Sequence, residues 1–281
     1  MEAPAILCRG LTALHAPGAG VADLDLSVRQ GEVFGFLGPN GAGKTTTIRL
    51  LLDLLRPERG TAELLGVDVR KGGPELRRRI GFLPGDLALF PGTSGRETLA
   101  LFSALQDRPP VLRDEALRRL GFPTAALDRP TRTYSTGMRQ MIGLVVAFQH
   151  DPELLVLDEP TTGLDPVVRE AFLSLVRDAR DRGRTVFLSS HILEEVERTA
   201  DRVGLIAGSR LKLTASLEDL RRRLPRLVTV VRKDGGIERF EHTGPIGPLL
   251  HALATEAAAD VRIEPASLDA VFRAAVREDV A

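Results

Sequence analysis

At 281 residues the chain has room for about two domains with cores of their own, and its 38 acidic and 38 basic residues cancel, so overall charge makes no case for a nucleic-acid partner. One cysteine, Cys8, excludes an internal disulfide, suits a reducing compartment, and falls in the apolar segment Ala5–Leu11 as a small core residue. No signal-peptide pattern is read at the N-terminus, and the richest apolar run, Met141–Phe148, is far short of the ~20 residues of a membrane helix, so any membrane association runs through a partner.

Residues 5–30 read as an edge hairpin: Ile6–Leu14, a turn at Pro17-Gly18-Ala19-Gly20, then alternating Leu24, Leu26 and Val28. His15 closes the first arm, ahead of the glycine loop described next, and is a candidate platform for a base. Val33-Phe34-Gly35-Phe36-Leu37 is a short apolar run of the kind that forms a buried strand. Gly38-Pro39-Asn40-Gly41-Ala42-Gly43-Lys44-Thr45 then fits G-x-x-x-x-G-K-[ST], and Ile48, Leu51, Leu52 and Leu55 place a helix over Thr45–Leu55. Strand, glycine loop and helix come in the order that a phosphate cradle needs. Small residues let backbone N–H groups turn inward around phosphate oxygens, with a helix N-terminus behind them. Lys44 can then reach the terminal phosphates and Thr45 can offer a hydroxyl to Mg²⁺, so the segment is expected to bind a nucleoside triphosphate.

Arg56-Pro57-Glu58-Arg59-Gly60 breaks the pattern, and strands are expected at Thr61–Leu65 and Ile80–Leu83, the second ending at Pro84. Glu75–Arg79 reads as a basic helix, and the runs Arg77-Arg78-Arg79 and Arg221-Arg222-Arg223 as solvated helix faces. From Asp86 to about His150 amphipathic helices dominate (Gly95–Leu105, Leu112–Leu120), a helical insertion in an α/β chain. Tyr134-Ser135-Thr136-Gly137-Met138-Arg139-Gln140 leads into an apolar helix, and Leu154–Leu157 is a buried strand that delivers Asp158 and Glu159 at its C-terminal end. Open parallel sheets place ligand chemistry at that end. A turn, Thr161–Pro166, precedes a helix to about Arg182. The strand Thr185–Leu188 ends in Ser189-Ser190-His191, a helix with Leu193 and Val196 follows, and Val203–Ile206 and Leu211–Leu213 complete the sheet. Near residue 216 a boundary is expected, because Ser216-Leu217-Glu218-Asp219 fits a helix N-cap with an acidic residue three positions on. Beyond it come strands Leu227–Arg232 and Ile237–Glu241 joined by Asp234-Gly235-Gly236, a helix about Leu249–Ala258, a strand Val261–Glu264 and a last helix from Ser267.

Phosphoryl transfer to water needs neutralised charge, a positioned nucleophile and a group that orients it. Lys44 and the loop amides supply the first, Asp158 is expected to join Thr45 at Mg²⁺, and Glu159 is the candidate to orient or deprotonate the water. His191, ending the next strand, could contact the γ-phosphate.

Over about residues 1–215 these motifs resemble the ATP-binding cassette (ABC) ATPase family. Tyr134–Gln140 is similar to its L-S-G-G-Q signature, a segment that kinases and GTPases lack. Leu154–Pro160 resembles the second nucleotide motif with catalytic Glu159, Gly163-Leu164-Asp165 the D-loop, and His191 the switch histidine. The resemblance implies an α/β P-loop cassette: a parallel-sheet core, an antiparallel edge hairpin and a helical subdomain at about 86–150, followed by a small α+β domain over 216–281. It implies ATP contacts from Gly38, Pro39, Asn40, Gly41, Ala42, Gly43, Lys44, Thr45 and Thr46, with Mg²⁺ at Thr45 and Asp158. It also implies a head-to-tail pair of cassettes in which Ser135 and Gly137 face the γ-phosphate held by the other subunit, and the motifs for both half-sites in one chain favour a homodimer over a mixed pair. ATP would join the subunits, and hydrolysis would separate them and drive a separate multi-span permease, with this chain at the cytoplasmic face of the membrane.

Two positions depart from the family pattern. His15 stands where many cassettes stack an aromatic residue on adenine, and after Pro84 the expected Q-loop glutamine is replaced by Gly85-Asp86. Either Asp86 takes over the metal or water contact, or the contact is missing. The Y-S-x-G-M-[RK]-Q form, with Ile263–Leu268 before the last helix, is similar to the branch that exports drugs, lipids or polysaccharides. The competing readings are a soluble ATPase acting on nucleic acid or ribosomes, whose relatives usually carry paired cassettes or basic arms, and a nucleotide sensor without turnover.

Overall fold

Every residue of the strands Val33–Leu37, Leu154–Asp158 and Thr185–Ser190 is buried, as near-continuous apolar runs in a parallel sheet require. In the computed structural model, which describes residues 3–16, 19–223, 226–242, 244–255 and 258–265, they lie at the centre of a six-stranded sheet. Its order is Arg210–Ser216, Arg202–Ala207, Val33–Leu37, Thr185–Ser190, Leu154–Asp158, Ile80–Leu83. The five strands from Arg202–Ala207 to Ile80–Leu83 pair in parallel. Phe34 stacks on Phe187 with ring centroids 5.9 Å apart, and Phe36 tilts against Phe187 at 5.3 Å. Register is what serves function. Phe36 and Leu37 pair with Ser189 and Ser190, and Asp158 pairs with Ser189. Gly38, Glu159 and His191 therefore emerge side by side at one end of the sheet.

A second, antiparallel sheet has the order Ala19–Val28, Ile6–Ala16, Arg59–Leu64, Val67–Asp68. The hairpin of residues 5–30 thus continues through Ile6–Ala16 into the strand after the breaker, with bulges along the register. Cys8 is buried there, and burial, with Asp25 adding to it, pushes its thiol up to about 12, so it stays protonated and inert. The helix after the glycine loop spans Lys44–Leu51 rather than reaching Leu55. Asp53 takes a left-handed φ of 56°, and the amides of Leu54 and Leu55 both return to the carbonyl of Arg49, which closes the helix early.

The insertion holds the helices Gly95–Gln106, Arg113–Arg119 and Thr136–Phe148. Ser94 and Glu97 form a reciprocal capping box at the first of them. Buried Gln149 joins the three elements: its oxygen accepts from Arg113 Nε at 3.0 Å and its amide donates to Gln106 Oε1 at 3.0 Å. Arg119 reaches Asp178 and Ser174 on the helix Pro166–Asp181. The basic run at 77–79 is only partly a solvated face. Arg79 lies just past the helix Gly73–Arg78 and forms a fork with Glu153, at 2.8 and 2.7 Å, that ties two parallel strands at their N-terminal ends.

The chain divides into two compact units between Thr214 and Ala215. In the second, Ser216 Oγ accepts from the Asp219 amide at 2.9 Å and caps the helix Leu217–Arg223. A three-stranded antiparallel sheet follows, in the order Ile237–His242, Arg226–Arg232, Ala258–Pro265. Its core is Val228, Val230 and Leu253, with Phe240, Leu249, Val261 and Ile263 against it. The helix Ile246–Thr255 begins before Leu249 because Pro248 falls in its first turn, where a missing N–H costs no helical bond. The expected helix from Ser267 lies outside the described residues. Among the described residues no helix is long and apolar enough to cross a membrane.

Candidate active site

The glycine loop is held open by its own backbone. Gly43 has φ 112°, and a β-carbon there would lie 2.2 Å from the carbonyl oxygen of Gly20, so no other residue fits without moving the hairpin. Beside the loop is a cleft of about 580 Å³, within the usual size of a small-molecule site. His15, Asn40, Gly41, Gly43, Lys44, Thr45, Thr46, Asp86, Asp158, Glu159 and His191, all expected from the sequence, line it. His15, from the antiparallel sheet, and His191, at the end of a parallel strand, lie far apart in the chain and line the same cleft.

Lys44 is 6% exposed. Its ammonium donates to the carbonyls of Gly38 at 2.7 Å and Pro39 at 3.3 Å, and pairs with Glu159 Oε1 at 3.2 Å. The other oxygen of Glu159 lies 2.7 Å from His191 Nδ1. Lysine, carboxylate and imidazole therefore form one ladder across the cleft. Glu159 has φ 49°, a left-handed conformation that is costly for a side chain of its size. Two contacts hold it there: its amide donates to Ser189 Oγ at 3.0 Å, and the buried Gln140 amide donates to the next carbonyl, that of Pro160, at 2.9 Å.

Asp158 is 1% exposed, and Ser189 Oγ donates to its Oδ1 at 2.5 Å. Ser189 thus joins the two carboxylate residues, orienting Asp158 through its side chain and Glu159 through its backbone. The donor set suits Mg²⁺: an oriented buried carboxylate and the Thr45 hydroxyl share the cleft, and Mg²⁺ commonly binds one or two carboxylates, phosphates and water rather than a protein cage. Among the described residues no cluster of three His, Cys, Asp or Glu offers such a cage. Asp86 is in the cleft wall, but its carboxylate stands 3.5 Å from Arg49, one helical turn beyond Thr45.

Ser135, Gly137 and Asp165 do not line the cleft of their own chain. Ser135 caps the helix Thr136–Phe148 by accepting from the Met138 amide at 3.1 Å. Asp165 caps Pro166–Asp181 by accepting from the amides of Val167 and Val168, both at 2.9 Å. The two segments touch: a β-carbon on Gly163 would meet Thr136 Cγ2 at 2.9 Å. Sequence reasoning missed Ser189, Arg49 and the tie from Gln140 to Pro160. Only the placement of Ser189 at the end of its strand, and of Arg49 four residues after Thr45, could have hinted at them.

The model of the ABC transporter family matches residues 21–162, half of the chain. An ABC transporter ATP-binding protein of a Nostoc species is 40% identical over 200 residues, covering 69% of this chain but only 59% of that relative. The daunorubicin/doxorubicin resistance ATP-binding protein DrrA of Streptomyces peucetius is 36% identical over 267 residues, 92% of this chain and 81% of its own length. A solved structure described as the ATP-binding subunit of an ABC transporter superposes with a TM-score of 0.71 at 28% identity, covering 77% of this chain and 92% of that one. With these matches and a P-loop cleft of this construction, the chain belongs to the ABC transporter family and is one of its ATP-binding cassettes, an ABC ATPase.

Proposed function

We propose that this chain binds and hydrolyses ATP to power an exporter whose membrane-spanning subunits are separate polypeptides. The observation that carries the reading is the ladder Lys44–Glu159–His191 across a cleft walled by the phosphate loop. Triphosphate oxygens take the place of Glu159 on Lys44, and the loop amides and Thr46 share the remaining charge. Glu159 is then free to orient and deprotonate the attacking water. His191, hydrogen-bonded to Glu159 through Nδ1, turns its other nitrogen to the γ-phosphate. Thr45 and Asp158 would hold Mg²⁺, which would add charge neutralisation at the phosphates. His15, at the cleft wall beside Ala19 and Gly20, is the platform for adenine. Asp86 is balanced by Arg49 and holds the wall rather than the metal.

The cassette comprises residues 1–215, with its helical subdomain at about 86–150, and residues 216–281 form a separate small domain. Two identical copies pair head to tail. The exposed cap Ser135 and the adjacent Gly137 then meet the γ-phosphate in the partner's cleft, where a helix N-terminus favours an anion, and Asp165 follows at the same seam. The name of the Streptomyces relative supports drug export, and the pair works at the cytoplasmic face of the membrane, attached through the permease.

The test loads Glu159→Gln with Mg·ATP and measures mass in solution, then asks what co-purifies with the tagged chain from membranes. The reading expects an ATP-dependent dimer and a multi-span membrane protein. A monomer at every concentration, with or without the permease, would overturn the pairing, and co-purifying RNA or ribosomes in place of a membrane protein would overturn export.

A further inference from the structure

Behind the catalytic ladder is an acidic side chain with no part in the chemistry above. Glu195 is 6% exposed, in the short helix Leu193–Glu197 that follows His191. Its Oε2 accepts from the Thr161 hydroxyl at 2.6 Å, its Oε1 lies 3.2 Å from Arg169 Nε, and its carbonyl accepts from the Thr199 hydroxyl at 3.0 Å. Thr161 is two residues past Glu159, in a turn closed by the amide of Thr162 on the carbonyl of Glu159 and the amide of Leu164 on that of Thr161. Arg169 is in the first turn of the helix that Asp165 caps.

A buried carboxylate is costly unless it is paired, and an apolar side chain would fill the space more cheaply. Each side-chain contact of this one goes to a segment that carries a functional group: the turn after Glu159 and the helix after Asp165. The carboxylate itself is four residues past His191. We propose that Glu195 is a positioning residue, which locks the turn 159–165 to the segment carrying His191 so that Glu159 and His191 hold their 2.7 Å contact through turnover. Ser189 and Gln140 hold the strained backbone at Glu159 and Pro160, and Glu195 holds the turn just beyond them at Thr161, without which that turn can shift and carry the carboxylate away from the water. Lys44, Thr45 and Asp158 are fixed by other elements, so ATP binding does not depend on Glu195.

The inference rests on the roles given above to Glu159 and His191, so Glu159→Gln is measured alongside. Steady-state phosphate release by the full chain is followed for Glu195→Ala, Glu195→Gln, Thr161→Val, Thr161→Ser and the Thr161→Val/Glu195→Ala double variant, with ATP affinity and thermal unfolding recorded for each. The expected result for Glu195→Ala and Thr161→Val is a fall in kcat on the order of 10–10², the effect of a small misplacement of a catalytic group, with KM for ATP within about twofold. Thr161→Ser, which keeps the hydroxyl, restores turnover, and the double variant is no slower than the slower single one. If Glu195→Ala does not fold, Glu195→Gln and Thr161→Val carry the test. Equal losses of kcat and of ATP-binding stoichiometry, or an effect on KM alone, would show a purely structural side chain and overturn the inference. If Glu159→Gln itself leaves turnover unchanged, the assigned base has failed. If it abolishes turnover while Glu195→Ala and Thr161→Val do not slow it, only the positioning role has failed.

Discussion

Glu159→Gln removes one charge and leaves the size of the side chain unchanged. That charge faces Lys44 at 3.2 Å and His191 at 2.7 Å. At an effective dielectric of about 20, unit charges 3.2 Å apart attract by about 5 kcal/mol before the solvation that each gives up. A phosphate that takes Lys44 must compete with this pair. If only a fifth of the attraction, about 1 kcal/mol, passes to the ligand in the variant, ATP binds about fivefold tighter. Turnover moves the other way, falling by on the order of 10²–10⁴ as a positioned base is lost. Binding by calorimetry and steady-state phosphate release with saturating Mg·ATP measure the two effects separately. Turnover within twofold of the parent would refute Glu159 as the base, and ATP bound tenfold more weakly would refute the competition of Glu159 and phosphate for Lys44.

Lys44→Ala should lose ATP binding itself, because the buried ammonium is the loop's one charged side chain, and a parental dissociation constant would reject the phosphate-loop assignment. Gly43→Ala puts a methyl group 2.2 Å from the Gly20 carbonyl at a φ of 112°, so the hairpin or the loop must move. A cost of at least about 1–3 kcal/mol and a loss of nucleotide binding are expected, and a parental melting curve with normal affinity would contradict the geometry. Burial, with the charge of Arg108 adding to it, pushes His150 down from 6.5 to about 4. The unfolded chain then binds the extra proton between these values, so this contribution is complete above about pH 6.5 and is lost as the pH falls towards 4, up to about 3 kcal/mol in all. His150→Leu should flatten the pH dependence of unfolding in that window, and an unchanged slope there would remove His150 from the account.

Features carried by consecutive residues are legible in the amino-acid sequence itself. A buried strand, a glycine loop and a helix follow one another within 33–55, and Asp158 and Glu159 come directly after four apolar residues. Phosphate chemistry can be read from such patterns because the loop's backbone conformation is local. Boundaries are less legible where distant contacts set them. The hairpin of residues 5–30 gains a third strand through the pairing of Ile6–Ala16 with Arg59–Leu64, and Arg79 turns from a solvated face to Glu153.

Residue types and their spacing along the chain were enough to specify a nucleotide cassette and the identity of its chemical groups. Their mutual geometry was not written there, since it depends on strand register between segments 31 residues apart at Asp158 and Ser189 and more than a hundred apart at Leu37 and Ser190. That register sets Ser189 between Asp158 and Glu159, brings Lys44 and His191 to opposite oxygens of one carboxylate, and encloses Glu195 between Thr161 and Arg169. Side-chain hydrogen bonds act over about 3 Å, and no local pattern encodes which distant atoms a folded sheet will bring within that range.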